Sequence, residues 1–464
     1  MVLQISSIVS ISPRNRFSNY LEGEAAGRAR GTCNGNVELE LNMPMRDARQ
    51  WLIFGFICLM PFQDTILKIT PLQRLGSSFS VLPLMLLVFL EIARRLICFD
   101  LVFSRFLIVI AVYAALISLF GIMMFGSGSG SLGMGLQAIK LAIDSILVLY
   151  VIFGIDYSDS RLVGLAVQIA FFITLGGILA NDFNFLGLSG LTNSGFFHQT
   201  VGSDDYDHRW RGLTAEPSVL APLLMGMGLL CAHFSAKGWM KKAYWLLALI
   251  LTTLGGSKGG IICMLLILLF IFMLRAKASL LQAVALLILA SPIAYLGAYF
   301  LLPQFGTEAL KASNSIATRL TMQIVAGLIL IHFPLGIGFG AMFPAIGKFL
   351  SQGIDLAQSL VPFPLSFDEV TQYFTDPQYA GAKSLAANFA IFFGFPFIIG
   401  AFIACFRLAR QLYRLGFIAL LACVLFMVFQ LCTSVDSLAY YNIYLPFGIA
   451  VYEIRRHANS TGNA

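Results

Sequence analysis

Between Trp51 and Tyr452 the chain alternates long apolar stretches with short polar breaks, and many of the apolar stretches run close to 20 residues. That is the length an α-helix needs to cross a hydrocarbon layer of about 30 Å. The pattern predicts spans over 51–67, 77–97, 104–125, 136–155, 161–181, 215–235, 243–256, 259–275, 279–302, 385–406, 414–432 and 434–452. Short alternating strands of the kind that build a membrane barrel are not seen. The expected fold is an all-α polytopic membrane protein with about 12 transmembrane helices.

Basic residues orient these spans. Arg94, Arg95 and Arg105 flank one loop; Lys237, Lys241 and Lys242 another; Arg275 and Lys277 a third; Arg407, Arg410 and Arg414 a fourth; Arg455 and Arg456 lie near the end. All fall on one side if both termini are cytoplasmic, as positive residues inside require. Counting the short stretch 320–333 as a span would break that alternation, so it is expected to lie against, or re-enter, the outer face. Two long loops then face outward, 182–214 and 303–384. Loops of that size are where chemistry is expected.

Composition agrees. Of 464 residues, 58% are hydrophobic and 11% charged, and mean hydropathy is +0.83; soluble domains carry about 25% charged residues. The net charge of +7 suits orientation and anionic lipid, and nucleic-acid binding is not expected. The eight cysteines show no metal-binding spacing, and seven of them (Cys58, Cys98, Cys231, Cys263, Cys405, Cys423 and Cys432) lie in or beside apolar runs, as small core residues. Residues 1–50 read as a loosely ordered cytoplasmic extension, with Met43 or Met45 as an alternative start; 51–452 as one membrane domain; and 453–464 as a cytoplasmic tail. The apolar patch near the N-terminus is short and lacks a basic start, so a signal peptide is not expected.

Three polar constellations interrupt the apolar pattern. "RWRGLTAEPSVLAP", residues 209–222, places Arg209, Arg211 and Glu216 at the start of the span that Pro217 opens. Guanidinium forks suit phosphate or carboxylate. Glu216 suits a helix N-terminus, where it can also pair with Arg211; that structural role is compatible with a pyrophosphate pocket at the same place. "LGGSKGG", residues 254–260, offers Ser257 and Lys258 among four glycines, either as part of a site or as a tight turn with a snorkelling lysine. Residues 317–343 begin an apolar helix at Arg319, end it at His332, and continue as "PLGIGFG", a turn whose amides can point at an anion. His332 also fits a packed core residue. Lys140 and Asp144 stand four apart, the spacing of a helical ion pair. The run from His198 to His208, with Asp204, Asp205 and Asp207, is rich enough in polar residues to be a solvated loop; no metal site is expected.

In combination these elements resemble the O-antigen polymerase and O-antigen ligase superfamily, membrane glycosyltransferases of the GT-C type. The matching residues are Arg211, Gly212, Glu216, Pro217 and Ser218; Ser257, Lys258 and Gly259; and Arg319, Pro334, Gly336, Gly338 and Gly340. Lys258 stands where the family usually has arginine. Where ligases carry a His-Asn pair the chain has Lys383 and Asn388 without a histidine, which favours a polymerase.

The resemblance implies a polymerase of surface polysaccharide repeat units (O-antigen, capsule or exopolysaccharide) in the bacterial inner membrane, its site facing the periplasm or exterior. An undecaprenyl-pyrophosphate-linked oligosaccharide would be the donor, and the sugar hydroxyl of a lipid-linked chain the acceptor. Arg211 and Arg319, with Arg209 and Lys258, would hold the pyrophosphate. Glu216 would activate the acceptor, with His332, Asp436 and Ser257 as secondary candidates. No cofactor or metal is implied; membrane lipid is a partner and a chain-length regulator an admissible one. A ligase-type transferase onto a lipid or other acceptor, and a non-enzymatic flippase or transporter of lipid-linked oligosaccharide, are the alternatives.

Overall fold

The computed structural model describes residues 35–63, 65–69, 78–97, 105–125, 143–188, 210–214, 217–255, the positions 263, 264, 267 and 271, and then 314–339, 341–361, 364–371, 381–433, 435 and 437–462. Among them every regular element is helical: α1 Gly35–Cys58, α2 Val81–Ile97, α3 Arg105–Phe125, α4 Ile143–Gly154, α5 Ser160–Asn181, α6 Pro217–Phe234, α7 Gly238–Leu254, α8 Asn314–His332, α9 Met342–Ser359, α10 Leu385–Arg414, α11 Ile418–Thr433 and α12 Leu445–Gly462.

The main core forms around α6. Every side chain from Val219 to Ala232 is buried, as expected of a helix that is apolar all round. Helices α5, α7 and α11 pack on it, α1 on α5, α2 on α1, and α12 on α11 and on the end of α4. A second core joins α8, α9 and the first half of α10 through Met322, Val325, Ile329, Ile346 and Ile391. Helix α5 shows the sorting clearly. Val163, Val167, Ala170, Phe171 and Ile178 are buried, whereas Leu165, Phe172 and Leu179, spaced by sevens, are about half exposed. An apolar face left open on a packed helix marks a membrane or partner surface. Among the described helices, α5 and α10 are long and apolar enough to cross a membrane.

Several boundaries differ from the sequence expectation. Helix α1 begins at Gly35, ahead of the boundary placed at residue 50, and stops at Cys58 rather than continuing to 67. It is tied to α2 by Arg49 and Glu91, 3.4 Å apart. In the predicted span 434–452 the described residues up to Tyr444 form a largely buried connector with a 3-10 turn at Tyr441–Ile443, and a helix runs from Leu445 to Gly462. The run "SLAYYNIYLPFGIAVY" is largely apolar, so its pattern does not separate a packed connector from a helix; Pro446, suited to a first turn, marks the start. The stretch expected as a lone surface helix is α8, one partner of an α8–α9 hairpin that also packs on α10. Cys58, Cys231, Cys263 and Cys423 are buried, in keeping with small core residues; Cys432 is exposed, and Cys98 lies outside the described residues.

Helix α10 is broken. Pro396 has no N–H to give the Phe392 carbonyl one turn earlier, and Gly394 takes φ 68°, ψ −163°. The segment Pro334–Gly338 fills the break. Ile337 N–H donates to the Ile391 carbonyl (2.9 Å), Gly338 N–H to the Phe392 carbonyl (3.0 Å), and Phe395 N–H to the Pro334 carbonyl (2.8 Å). The Tyr113 hydroxyl from α3 reaches the carbonyls of Leu335 (2.8 Å) and Phe393 (3.2 Å).

Candidate functional site

The Arg211 segment is built on the end of α5. Asp182 accepts the backbone N–H of Arg211 (3.2 Å) and of Gly212 (2.8 Å) on one carboxylate oxygen. Asn181 donates to the Gly212 carbonyl (3.0 Å), and Gly212 turns the chain at φ 57°. The Thr214 hydroxyl closes the turn on the Arg211 carbonyl (2.7 Å). Partial burial pushes the Asp182 carboxyl above its usual range, opposed by those two amides and by the Arg211 charge. Among the described residues no carboxylate lies within ion-pair distance of the Arg211 guanidinium. The segment is thus held by its backbone, so its side chain is not consumed in anchoring it.

Arg319 lies near the start of α8, on the face that meets α10 and α11. Its Nη1 donates to the Thr433 carbonyl (3.4 Å). One turn later Gln323 donates to Ser384 Oγ (2.8 Å) and to the Cys432 carbonyl (3.4 Å). Ser384 also caps α10, accepting the Ala387 N–H (3.2 Å). Beside this row Glu369 takes the Thr318 hydroxyl on one oxygen (2.9 Å) and Lys383 Nζ on the other (3.0 Å). Lys383 sits in the left-handed region at φ 51°, a conformation that costs a residue with a Cβ about 1–2 kcal/mol. Asn388 Oδ1 accepts the Ala382 N–H (2.7 Å) and supports that turn.

The two arginine-bearing segments approach the region where α11 ends, the Arg211 segment through Gln63 and Arg319 at the last residue of α11. Leu213, two residues after Arg211, accepts the Gln63 N–H (3.2 Å), and the Gln63 side chain donates to Asn442 Oδ1 (3.4 Å). Arg319 holds Thr433 at the other end, and Leu385 N–H donates to the Val435 carbonyl (2.6 Å). The connector itself packs on α6 through Tyr441–Ile443. The loop ends of α1, α5, α8, α10 and α11 therefore gather at one end of the bundle, on the edge where α6 begins at Pro217.

Other predicted residues separate from this cluster. His332 closes α8, thirteen positions from Arg319, which is about 20 Å of helix rise. It is exposed, its Nδ1 donates to the Leu328 carbonyl (2.8 Å), and its ring lies tilted against Phe349, centroids 4.9 Å apart. That spacing along α8 separates it from Arg319, so the two do not meet in this structure. The reading of "PLGIGFG" as an anion cradle is also corrected. Gly336, Ile337, Gly338 and Phe339 all give their N–H groups to partners within the chain, the last to Ser118 Oγ (3.1 Å). Arg209, Glu216, Ser257, Lys258, Gly259, Gly340, Asp436, Lys140 and the run 198–208 lie outside the described residues. Asp144 is buried on α4.

The sequence pattern alone did not single out Asp182, Gln323, Glu369 or Ser384. Ser384 carried the signal of a cap before an apolar helix. Asp182 carried little, because an aspartate after a helix is common and its partners lie 29 and 30 residues away.

The chain matches no known protein-family model. Over 194 residues it is 33% identical to an uncharacterized 49.5 kDa protein in the cps region of Klebsiella pneumoniae. The match takes in 41% of this chain and 44% of that protein, so it spans less than half of the relative's length.

Proposed function

We propose that this protein is a membrane glycosyltransferase that polymerises the repeat units of a surface polysaccharide from a polyprenyl-pyrophosphate-linked donor. Three things support the reading: the relative in a capsule (cps) region, the all-helical bundle with open apolar faces, and the clustering of polar residues at one end. The observation that carries it is that Arg319 bonds the last residue of α11, Thr433, while the Arg211 segment reaches the connector that follows α11 through Gln63 and Asn442. Separate sequence motifs thereby become parts of one polar edge.

In this reading an acceptor sugar hydroxyl attacks the anomeric carbon of the donor glycan. The bond from that carbon to the pyrophosphate oxygen breaks, and the hydroxyl proton passes to a carboxylate, with Glu216 as the candidate. Charge builds on the leaving pyrophosphate, and fixed cations stabilise it most in the transition state. Arg211 and Arg319 fill that role, with Lys383 near Arg319, and Arg209 and Lys258 are further candidates from the sequence.

The broken helix α10 invites comparison with transporters, whose interrupted helices bind cargo at unpaired backbone groups. Here the groups at the break are paired with Pro334–Gly338, which favours a transferase over a transporter.

The test is surface-glycan length in cells carrying Arg319→Ala or Arg211→Ala, beside wild type and a deletion strain, with protein levels matched. Glycan shortened to single repeat units in the variants and the deletion supports the reading. Full-length chains in both variants remove the arginines from the site. A deletion that keeps long carrier-linked chains but loses their attachment identifies a ligase instead.

A further inference from the structure

One face of α7 forms a shallow, open groove lined by Gly238, Lys241, Lys242, Trp245, Leu246 and Leu249. These positions recur at steps of three and four, so they form one stripe along the helix. The stripe is sorted by chemistry. Both lysines lie toward its N-terminal end, the indole is in the middle, and the two leucines lie at the far end. From Gly238 to Leu249 the helix rises about 16 Å, close to half of an apolar layer about 30 Å thick.

The cations of this stripe are available. Lys241 and Lys242 are exposed, and the first turn of α7 contains no acidic residue. Among the described residues no carboxylate lies within ion-pair distance of either. Lys237, just before the helix, is exposed on the same end. The groove is also remote from the arginine edge. Helix α6 begins there at Pro217 and ends beside α7 at Phe234, about 26 Å away by helix rise.

We propose that this groove binds one anionic phospholipid. Its phosphate lies between Lys241 and Lys242, its glycerol region beside Trp245, and one acyl chain along Leu246 and Leu249. Charge selects an anionic headgroup, because each lysine near such a surface contributes about 1 kcal/mol toward anionic lipid. The apolar lower half selects a lipid over a free phosphate. The proposal is independent of the glycosyltransferase reading, since it uses the opposite end of the bundle.

The experiment uses the purified full chain in phosphatidylcholine nanodiscs, with Tm followed as phosphatidylglycerol is added. Lys241→Gln with Lys242→Gln is compared with Arg455→Gln with Arg456→Gln, which removes the same charge from α12. Phosphatidylglycerol should raise the Tm of the wild type and of the α12 variant. The Lys241/Lys242 variant should lose about 30-fold in apparent affinity. Leu246→Ser should weaken the response with no change of charge. Native mass spectrometry of the same samples counts bound lipid directly, so a variant with altered Tm is still read. Equal responses from the two double variants overturn the proposal. So does an equal rise from soluble glycerol 3-phosphate, which would make the site one for a headgroup alone.

Discussion

Gly336 and Gly394 meet backbone to backbone. A Cβ on Gly336 would strike the Phe392 carbonyl, a Cβ on Gly394 would strike the Pro334 carbonyl, and both residues have positive φ. The segment after α8 therefore enters the break in α10 only because neither position carries a side chain. Gly336→Ala and Gly394→Ala should each cost about 3 kcal/mol or more, because steric overlap adds to backbone strain. Pro396→Ala should cost much less, since the Phe392 carbonyl already has the Gly338 N–H as partner. Thermal unfolding of the three variants in one detergent gives the ranking. A Pro396→Ala loss as large as that of the glycines would mean that the break depends on the proline alone.

Arg319 and His332 sit at opposite ends of α8 and should separate in function. Arg319→Ala is expected to abolish long glycan and Arg319→Lys to restore only part of it, because an ammonium lacks the planar fork. His332→Ala should leave glycan length at the wild-type value. Short glycan from His332→Ala at normal protein level would place the histidine at the reacting centre after all.

Glu369 and Lys383 form a partly exposed pair, with side chains 36% and 31% accessible. Such a pair contributes only about 0–1 kcal/mol to stability, so Glu369→Gln should barely move Tm. Its expected effect is on glycan length, through the turn that borders Arg319. Glu369→Lys should shorten the glycan, and Glu369→Lys with Lys383→Glu should recover part of the length. No recovery in the swapped protein would show that the pair does not act as a unit.

Asp182 gives a pH dependence of defined sign. Its folded pKa is raised by burial, so its stabilising contribution is complete below the unfolded value and is lost as pH rises through the folded one. Wild-type stability should therefore step down just above the usual carboxylate range. Asp182→Asn keeps an acceptor for the Arg211 and Gly212 amides and should remove that step. Asp182→Ala leaves the two amides without their acceptor and should cost about 1–3 kcal/mol. Tm measured against pH for the three proteins checks this. A step that persists in Asp182→Asn would assign it to another group.

How much of this was legible in the sequence varies by element. Helices α2, α3, α5 and α6 lie close to their predicted spans, because an uninterrupted apolar run between polar breaks leaves the chain few other ways to satisfy its backbone. Spans 259–275 and 279–302 rest largely or wholly on residues outside those described. The connector that ends at Tyr444 was not legible, because its apolar residues run on into α12 and its partners lie far away in the chain: Gln63 by side chain and Leu385 by backbone.

By itself the sequence determined an all-helical chain with wide apolar faces, because period and hydropathy are local properties. It also marked Arg211 and Arg319 as cations out of place in such a chain. Only the tertiary structure decided their company. Arg211 rests on Asp182, Arg319 stands beside the Thr318–Glu369–Lys383 row, and His332 is about 20 Å away along its helix. The Ile337 and Gly338 amides of "PLGIGFG" mend α10, and those of Gly336 and Phe339 have partners elsewhere in the chain. Hydrogen bonds between segments hundreds of residues apart leave no periodic trace in the chain, so packing alone settled which polar groups meet.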